Sequence, residues 1–166
     1  MAVTSGTAKV TLPSDEQILI TRELDAPRHL VYRAWTTPEL VQRWWAGHRG
    51  RMTSVEIDLR VGGSWRYVLE AGGGFEVAFH GTYREIVPDE RIVTTEVFEM
   101  PETAAMTDAE APLNIVTFTE IDGRTTLSLL VEAGSKELRD TILDSGMEVG
   151  MQEQMDLLEE LAISLR

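Results

Sequence analysis

The sequence contains no cysteine, and this absence removes several classes of function at once. Disulfide bonds, thiol nucleophiles and thiolate metal sites all need cysteine, so none of them is available to this chain. Long apolar runs are missing too, because no stretch reaches the roughly 18 residues of a membrane-spanning helix. The N-terminal residues also lack the apolar core of a signal peptide. We therefore expect a cytoplasmic protein that does not interact with membranes.

Basic residues are scarce, since 15 Lys and Arg stand against 28 Asp and Glu and give a net charge of −13. An acidic surface argues against nucleic acid as a partner. The three histidines, His29, His48 and His80, do not have the spacing of metal ligands. Phosphate-binding loops, nucleophile elbows and dinucleotide fingerprints are absent as well. The sequence thus predicts neither a metal site nor a cofactor.

The length of 166 residues and the hydrophobic content of 43% suit one domain with a full core. Residues 1–15 contain no apolar core, and we interpret them as a flexible N-terminal tail. The sequence predicts a single domain from residue 16 to residue 166.

The final stretch, Ser145–Leu165, has the strongest periodicity in the chain. At about 100° per residue, its apolar side chains fall on one face of a helix. Acidic side chains, including Asp156 and Glu159, fall on the opposite face. The apolar face consists of Met147, Met151, Met155, Leu158, Leu161, Ala162 and Leu165. Such a helix must bury its apolar face, and a curved sheet formed by the rest of the chain would provide the surface.

The middle of the chain reads mostly as strands separated by turn residues. A first strand at Gln17–Asp25 precedes two short helices, Arg28–Thr36 and a second that opens at Pro38. Six strands follow, of which Arg91–Met100 is one, and Pro101–Pro112 is predicted to be a flexible loop. Antiparallel hairpins dominate, so the predicted fold class is α+β.

Four stretches resemble one known family. They are ELDAPRHLVYRAWTTPELVQRWW, IDLRVGGSWRY, FHGTYREIVPDERIVTTEVFE and SGMEVGMQEQMDLLEELA. The hairpin with Asp58, Arg60, Gly62 and Gly63 is the most specific part, and Gly81-x-Tyr83 supports it. Together they resemble the activator-of-Hsp90-ATPase-homologue-1-like family of the START/Bet v 1-like (SRPBCC) superfamily. The resemblance implies a helix-grip fold, in which a curved antiparallel sheet wraps around the C-terminal helix and encloses a cavity.

The sequence departs from the family pattern near the start of the last helix. The family commonly has Gly-Trp there, where this chain has Gly150-Met151. Since methionine is smaller and more flexible than tryptophan, the exchange favours a larger cavity. Nine apolar side chains are the candidate ligand-binding residues: Trp35, Trp44, Trp65, Tyr67, Phe79, Phe98, Met147, Met151 and Met155. Among them, Trp35 and Trp44 are placed at the mouth of the cavity.

Two polar residues are candidate pocket groups, Gln154 on the last helix and His80 within a strand. Strand alternation places His80 on the face opposite Phe79, so an outward-pointing histidine is the alternative reading. Gln154 has a similar alternative, since it can lie at the edge of the helix face and reach water.

Three functions remain open from the sequence. The first is binding of a small hydrophobic or aromatic molecule between the sheet and the last helix. The second is an enzyme of the polyketide cyclase or dehydratase kind in the same cavity, with His80, Tyr67 and Glu85 as candidates for proton transfer. The third is a co-chaperone-like module that acts on an Hsp90-type ATPase. We favour binding without catalysis, by a monomer or homodimer.

Overall fold

The chain forms a curved antiparallel sheet against which a long C-terminal helix packs. The computed structural model describes residues 8–48, 50–72, 74–99 and 107–166. The strands are β1 (Lys9–Thr11), β2 (Gln17–Leu24), β3 (Gly50–Ile57), β4 (Ser64–Ala71), β5 (Phe75–Val87), β6 (Arg91–Thr95), β7 (Val97–Glu99), β8 (Leu113–Ile121) and β9 (Arg124–Glu132). The helices are α1 (Arg28–Thr36), α2 (Pro38–Val41), α3 (Lys136–Asp144) and α4 (Met147–Ser164), with a 3₁₀ turn at Asp108–Glu110.

The strand order is β1-β2-β9-β8-β6-β5-β4-β3, with β7 paired to β5, and every pairing is antiparallel. The sheet curves without closing, and its concave face receives the helices, as in the helix-grip fold. The predicted α+β class and helix-grip architecture are therefore confirmed. Phe118 of β8 marks the concave face, because its ring meets those of Tyr32 and Trp35 of α1.

The N-terminal segment differs from the prediction of a flexible tail up to residue 15. Lys9–Thr11 form β1, which pairs with Leu19–Thr21 of β2. Val10 is half-buried and packs against the core, so this segment gains apolar contacts as well as ladder hydrogen bonds. Residues 1–7 of the predicted tail and residues 101–106 of the predicted loop lie outside the described residues.

Strand β5 joins the two halves of the sheet. It pairs with β4 between Phe75 and Thr82 and with β6 from Tyr83 onward, and the register shifts between Tyr83 and Glu85. Gly81 lies at this crossing, where a Cβ atom would come within 1.9 Å of the carbonyl oxygen of Thr95. Only glycine permits such a close approach of two backbones.

The predicted strand Arg91–Met100 is wrong as a single element, because it is interrupted at Glu96. Strand β6 pairs with the second half of β5 and with β8, whereas β7 pairs with Ala78–His80 of β5. The backbone N–H of Glu96 still donates to the carbonyl of Pro112, next to the last β6–β8 pair, Thr95–Leu113. Two different partners therefore divide one β-rich sequence into two strands.

Helix α4 lies where the sequence predicts it. Ser135 caps α3 by accepting a hydrogen bond from the backbone N–H of Leu138, and Gly146 separates α3 from α4 with a φ of 81°. The buried apolar residues of α4 are Met151, Met155, Leu158, Leu161 and Ala162. The predicted apolar face is thus confirmed at these five positions. No helix in the described ranges is both long and apolar enough to cross a membrane.

A buried ion network holds α4 against β2. Arg22, whose side chain is 1% exposed, donates to Asp156 at 2.6 Å and to Glu159 at 2.9 Å. Glu159 also accepts the backbone N–H of Asp25 at 2.8 Å. The placement of Glu159 on a polar, outward face was wrong, since this residue is only 8% exposed. A buried arginine on the facing strand draws the carboxylate inward.

Candidate functional site

Aromatic rings line the concave face at the β4–β5–β7 end of the sheet. The rings of Trp65 and Tyr67 lie 4.7 Å apart, and Trp45 follows at 5.2 Å from Tyr67 and 4.9 Å from Phe79. Phe98 stacks on Phe79 at 4.7 Å with an angle of 11° between the rings. We call these five residues, Trp45, Trp65, Tyr67, Phe79 and Phe98, the aromatic wall.

The aromatic wall runs from the core to the surface. Trp65 and Tyr67 are buried, Trp45 and Phe79 are half-buried, and Phe98 is 37% exposed. The indole of Trp65 is fixed by a hydrogen bond of 3.2 Å to the carbonyl oxygen of Thr95. The outer rings are therefore less covered than the inner ones, and the wall presents apolar surface at its Phe98 end.

The N-terminal half of α4 is tied to the segment that carries Trp45. The amide of Gln154 donates to the backbone carbonyl of Trp45, and Glu153 accepts the backbone N–H of His48 at 3.1 Å. Gln154 therefore holds the central ring of the aromatic wall in place. Met151 and Met155 are buried in the core and Met147 is half-buried, so the methionine series also runs from the interior towards the surface.

Trp35 and Trp44 lie apart from the aromatic wall. Trp44 is 2% exposed and donates its indole N–H to the carbonyl of Ala34 at 3.0 Å. Trp35 packs against Trp44 at 4.9 Å and against Phe118 at 6.0 Å. These contacts belong to the packing of α1 on the sheet. It is Trp45, which was not among the nine predicted site residues, that contacts the rings of the wall.

Two polar side chains also reach the concave face beside the wall. Asn114 lies on the same face of β8 as Phe118, and its amide donates to Glu96 at 2.9 Å. Burial raises the pKa of Glu96, while the hydrogen bond from Asn114 opposes that change. Burial raises the pKa of Tyr67 well above its ordinary value, and the nearby Tyr83 and Glu96 add smaller contributions. A hydrogen-bonded carboxylate and amide therefore lie close enough to this phenol to interact with it electrostatically.

Glu96 was not among the predicted site residues, although the alternation of its strand indicates which face it lies on. Alternation within Arg91–Met100 places Ile92, Thr94, Glu96 and Phe98 on one face. Phe98 was predicted to be on the sheet wall, so Glu96, two residues earlier, should have been assigned to the same face. Asn114 gave no comparable signal, because its role depends on the pairing of β8 with β6.

His80 lies on the outer face of the sheet. It pairs with Arg66 across the β4–β5 ladder, whereas Tyr67 pairs with Phe79 on the concave side. The Nδ1 atom of His80 is 2.7 Å from Glu99, which also accepts two hydrogen bonds of 2.9 Å from Arg66. The guanidinium of Arg66, with a smaller contribution from His80, lowers the pKa of Glu99 to about 2. This arrangement fits the outward-pointing alternative for His80.

Glu85 likewise lies away from the concave face, since it is half exposed and pairs with Arg91 at 2.9 Å. Of the three candidates for proton transfer, Tyr67 alone lies on the concave face. Within the ranges that the structure describes, no three His, Asp or Glu side chains are grouped as metal ligands.

A separate depression of about 370 Å³ lies on the outer face, between residues 14–17, Arg84, residues 109–113 and residues 132–134. Its rim includes three carboxylates, from Glu16, Glu110 and Glu132. This polar rim does not suit an apolar ligand, so the aromatic wall remains the better candidate for the site.

Comparisons with known proteins agree with this architecture. The sequence profile described as activator of Hsp90 ATPase homolog 1-like protein matches residues 25–162. A search of curated proteins finds no significant match.

Several solved structures share the fold. A protein from Rhodobacter sphaeroides is 21% identical, with a TM-score of 0.85 over 96% of this chain and 99% of that one. A protein from Chromobacterium violaceum is 28% identical, with a TM-score of 0.73 over 87% of this chain and 96% of that one. An AHSA1-like protein from Aeromonas hydrophila is 19% identical, with a TM-score of 0.65 over 89% and 93%.

Proposed function

The chain belongs to the activator of Hsp90 ATPase homolog 1-like family, and we propose that it binds a small hydrophobic or aromatic molecule between the sheet and α4. Proteins of this fold typically bind hydrophobic ligands. The observation that carries the proposal is the aromatic wall, which continues from the buried Tyr67 to the exposed Phe98 on the face that receives the helix.

The exposed end of the wall supports entry of a ligand from this side. Phe98 keeps 37% of its surface exposed although it stacks on Phe79, and Phe75, on the same face of β5, is 71% exposed. Large apolar residues exposed on one face of a strand in this way are typical of a binding surface rather than of a closed core. A flat aromatic ligand would cover these rings and gain both apolar burial and ring contacts.

A titration with a neutral aromatic probe tests the proposal. We expect 2-methoxynaphthalene to quench the tryptophan fluorescence and to raise the thermal midpoint. Phe79→Ala should weaken binding by about threefold to tenfold, since a ring contact contributes roughly 0.5–1.5 kcal/mol. Ile121→Ala is the matched control, because Ile121 is 68% exposed in the β8–β9 turn and distant in the fold from the wall.

Mass spectrometry of small molecules extracted from freshly purified protein would identify the natural ligand. The absence of any bound molecule, together with no response to the probe in either assay, would contradict the proposal. If Phe79→Ala and Ile121→Ala change the affinity for the probe equally, the probe does not bind at the aromatic wall.

The two other functions remain hypotheses with their own tests. A polyketide cyclase-like or dehydratase-like activity would depend on Tyr67 and Glu96, so loss of turnover in Tyr67→Phe would support it. A co-chaperone-like role follows from the family name, and a pull-down with an Hsp90-type chaperone as bait tests it directly.

A further inference from the structure

A group of polar side chains from three separate strands or junctions lies beside the inner rings of the aromatic wall. Tyr67 comes from β4, Glu96 from the interruption between β6 and β7, and Asn114 from β8. Glu96 directly follows Thr95, whose carbonyl oxygen accepts the indole N–H of Trp65 at 3.2 Å, and Tyr67 contacts Trp45 and Trp65. The polar group and the apolar wall are therefore adjacent parts of one concave surface.

This polar group is only partly satisfied within the protein. The side-chain amide of Asn114 donates a hydrogen bond of 2.9 Å to one carboxylate oxygen of Glu96. The other carboxylate oxygen has no hydrogen-bond partner among the described residues. The hydroxyl of Tyr67 lacks a partner there as well.

Neither oxygen is sealed from solvent. Of the fully enclosed side-chain nitrogen and oxygen atoms in the described part of the chain, Arg22 Nε alone has no hydrogen-bond partner. The free carboxylate oxygen of Glu96 and the hydroxyl of Tyr67 therefore both border accessible space. A small molecule or water can therefore reach each of these two oxygens.

We infer that Glu96, supported by Asn114 and Tyr67, anchors the polar end of the ligand, and that the ligand is an aromatic or hydrophobic molecule with one hydroxyl or amine donor. The inference rests on the proposed function, because the apolar part of the ligand lies on the aromatic wall. A donor group would complete the hydrogen bonding of Glu96, and bonds to charged groups are the stronger ones. A ligand without a donor would leave the carboxylate unpaired in an apolar place.

The same charge excludes a different class of ligand. An ionised carboxylic acid would place a second negative charge beside Glu96, and like charges in a low-dielectric site repel strongly. The acidic net charge of −13 adds to this effect at longer range. Neutral alcohols, phenols and amines are thus favoured over carboxylates of the same shape.

Three probes that share a naphthalene body separate these possibilities: 2-naphthol, 2-methoxynaphthalene and 2-naphthoate. At neutral pH we expect 2-naphthol to bind the full-length protein about tenfold more tightly than 2-methoxynaphthalene, as one charge-assisted hydrogen bond would give. We expect 2-naphthoate to bind least tightly. Dissociation constants come from tryptophan quenching, with thermal shifts as a second readout.

Glu96→Gln keeps the size of the side chain and removes its charge. In this variant the preference for 2-naphthol should fall to about threefold or less, and 2-naphthoate should bind more tightly. Glu96→Leu should abolish the preference while the affinity for 2-methoxynaphthalene changes less than about twofold. Glu85→Gln is the matched control, since Glu85 lies on the outer face and should leave all three affinities unchanged.

The outcomes distinguish the anchor from the site itself. Equal binding of 2-naphthol and 2-methoxynaphthalene by the natural sequence would overturn the anchor and leave the hydrophobic site standing. Unchanged affinities for 2-naphthol and 2-naphthoate in a folded Glu96→Gln variant would do the same. If none of the three probes binds, the proposed function fails and the anchor fails with it.

Discussion

Removal of Arg22 should be one of the most destabilising single changes in this protein. Arg22→Met removes the guanidinium from Glu159, a carboxylate that is 8% exposed and that also accepts the N–H of Asp25. Breaking a buried ion pair from one side costs about 3–5 kcal/mol of unfolding free energy. Asp156 contributes little to this cost, because its side chain is 50% exposed and regains water.

The coupling between Arg22 and Glu159 decides whether this reasoning is correct. Glu159→Leu alone should also cost about 3–5 kcal/mol, since it leaves the buried arginine with one half-exposed partner. The double variant removes both charges and should lie within about 2 kcal/mol of the natural protein, because a well-packed apolar pair is often as stable as an ion pair.

Chemical denaturation followed by circular dichroism measures all four members of this cycle. Asp58→Asn provides the control, because the Asp58–Arg60 pair is 50% and 69% exposed and should contribute less than about 1 kcal/mol. Additive losses, within about 0.5 kcal/mol, would refute the proposed energetic link between β2 and α4.

Three further predictions concern the site, the outer face and the final helix. Met151→Trp should weaken binding of 2-methoxynaphthalene at least tenfold, while the unfolding free energy changes by less than about 1.5 kcal/mol. If the natural protein binds no probe and the variant is strongly destabilised, the space beside Met151 is a filled core and not a ligand site. Glu99→Gln should cost up to about 1 kcal/mol at neutral pH in denaturant titrations. The pKa of Glu99 is lowered from 4.5 to about 2, so this difference should vanish as the pH falls through that range; a difference that persists at the acid end would contradict it. Truncation after Gly146 should give an insoluble or molten protein by near-ultraviolet circular dichroism, and cooperative unfolding of a soluble truncated chain would disprove that expectation.

Local periodicity was enough to predict most of the fold. The face of α4 could be predicted because methionine and leucine recur at helical spacing over five turns, and the buried positions Met151 to Ala162 follow that spacing. The turn at Asp122-Gly123 and the cap at Ser135 depend only on neighbouring residues. Such signals need no knowledge of distant parts of the chain.

The remaining features depend on partners far apart in sequence. The sequence around Glu159 predicts a surface residue. Its burial depends on Arg22, which is 137 positions earlier in the chain and faces it from β2. Trp44 and Trp45 could not be distinguished because α2 has only four residues, too few to fix a helical phase. Arg91–Met100 has the composition of one strand, and its division at Glu96 depends on how β5 shares its edge between β6 and β7.

The pairing of strand β5 determines how the two halves of the sheet are oriented. In the described part of the chain β5 is the one strand that pairs within both halves of the sheet, and its register shifts between Tyr83 and Glu85. The angle between the halves is therefore set by a few backbone torsions beside Gly81, where no side chain fits against Thr95. A small change in those torsions would swing the aromatic wall towards or away from α4 and leave the hydrogen bonds of each half intact. A change at this single bend would therefore alter the separation of the wall from α4 without any change of the side chains on either surface.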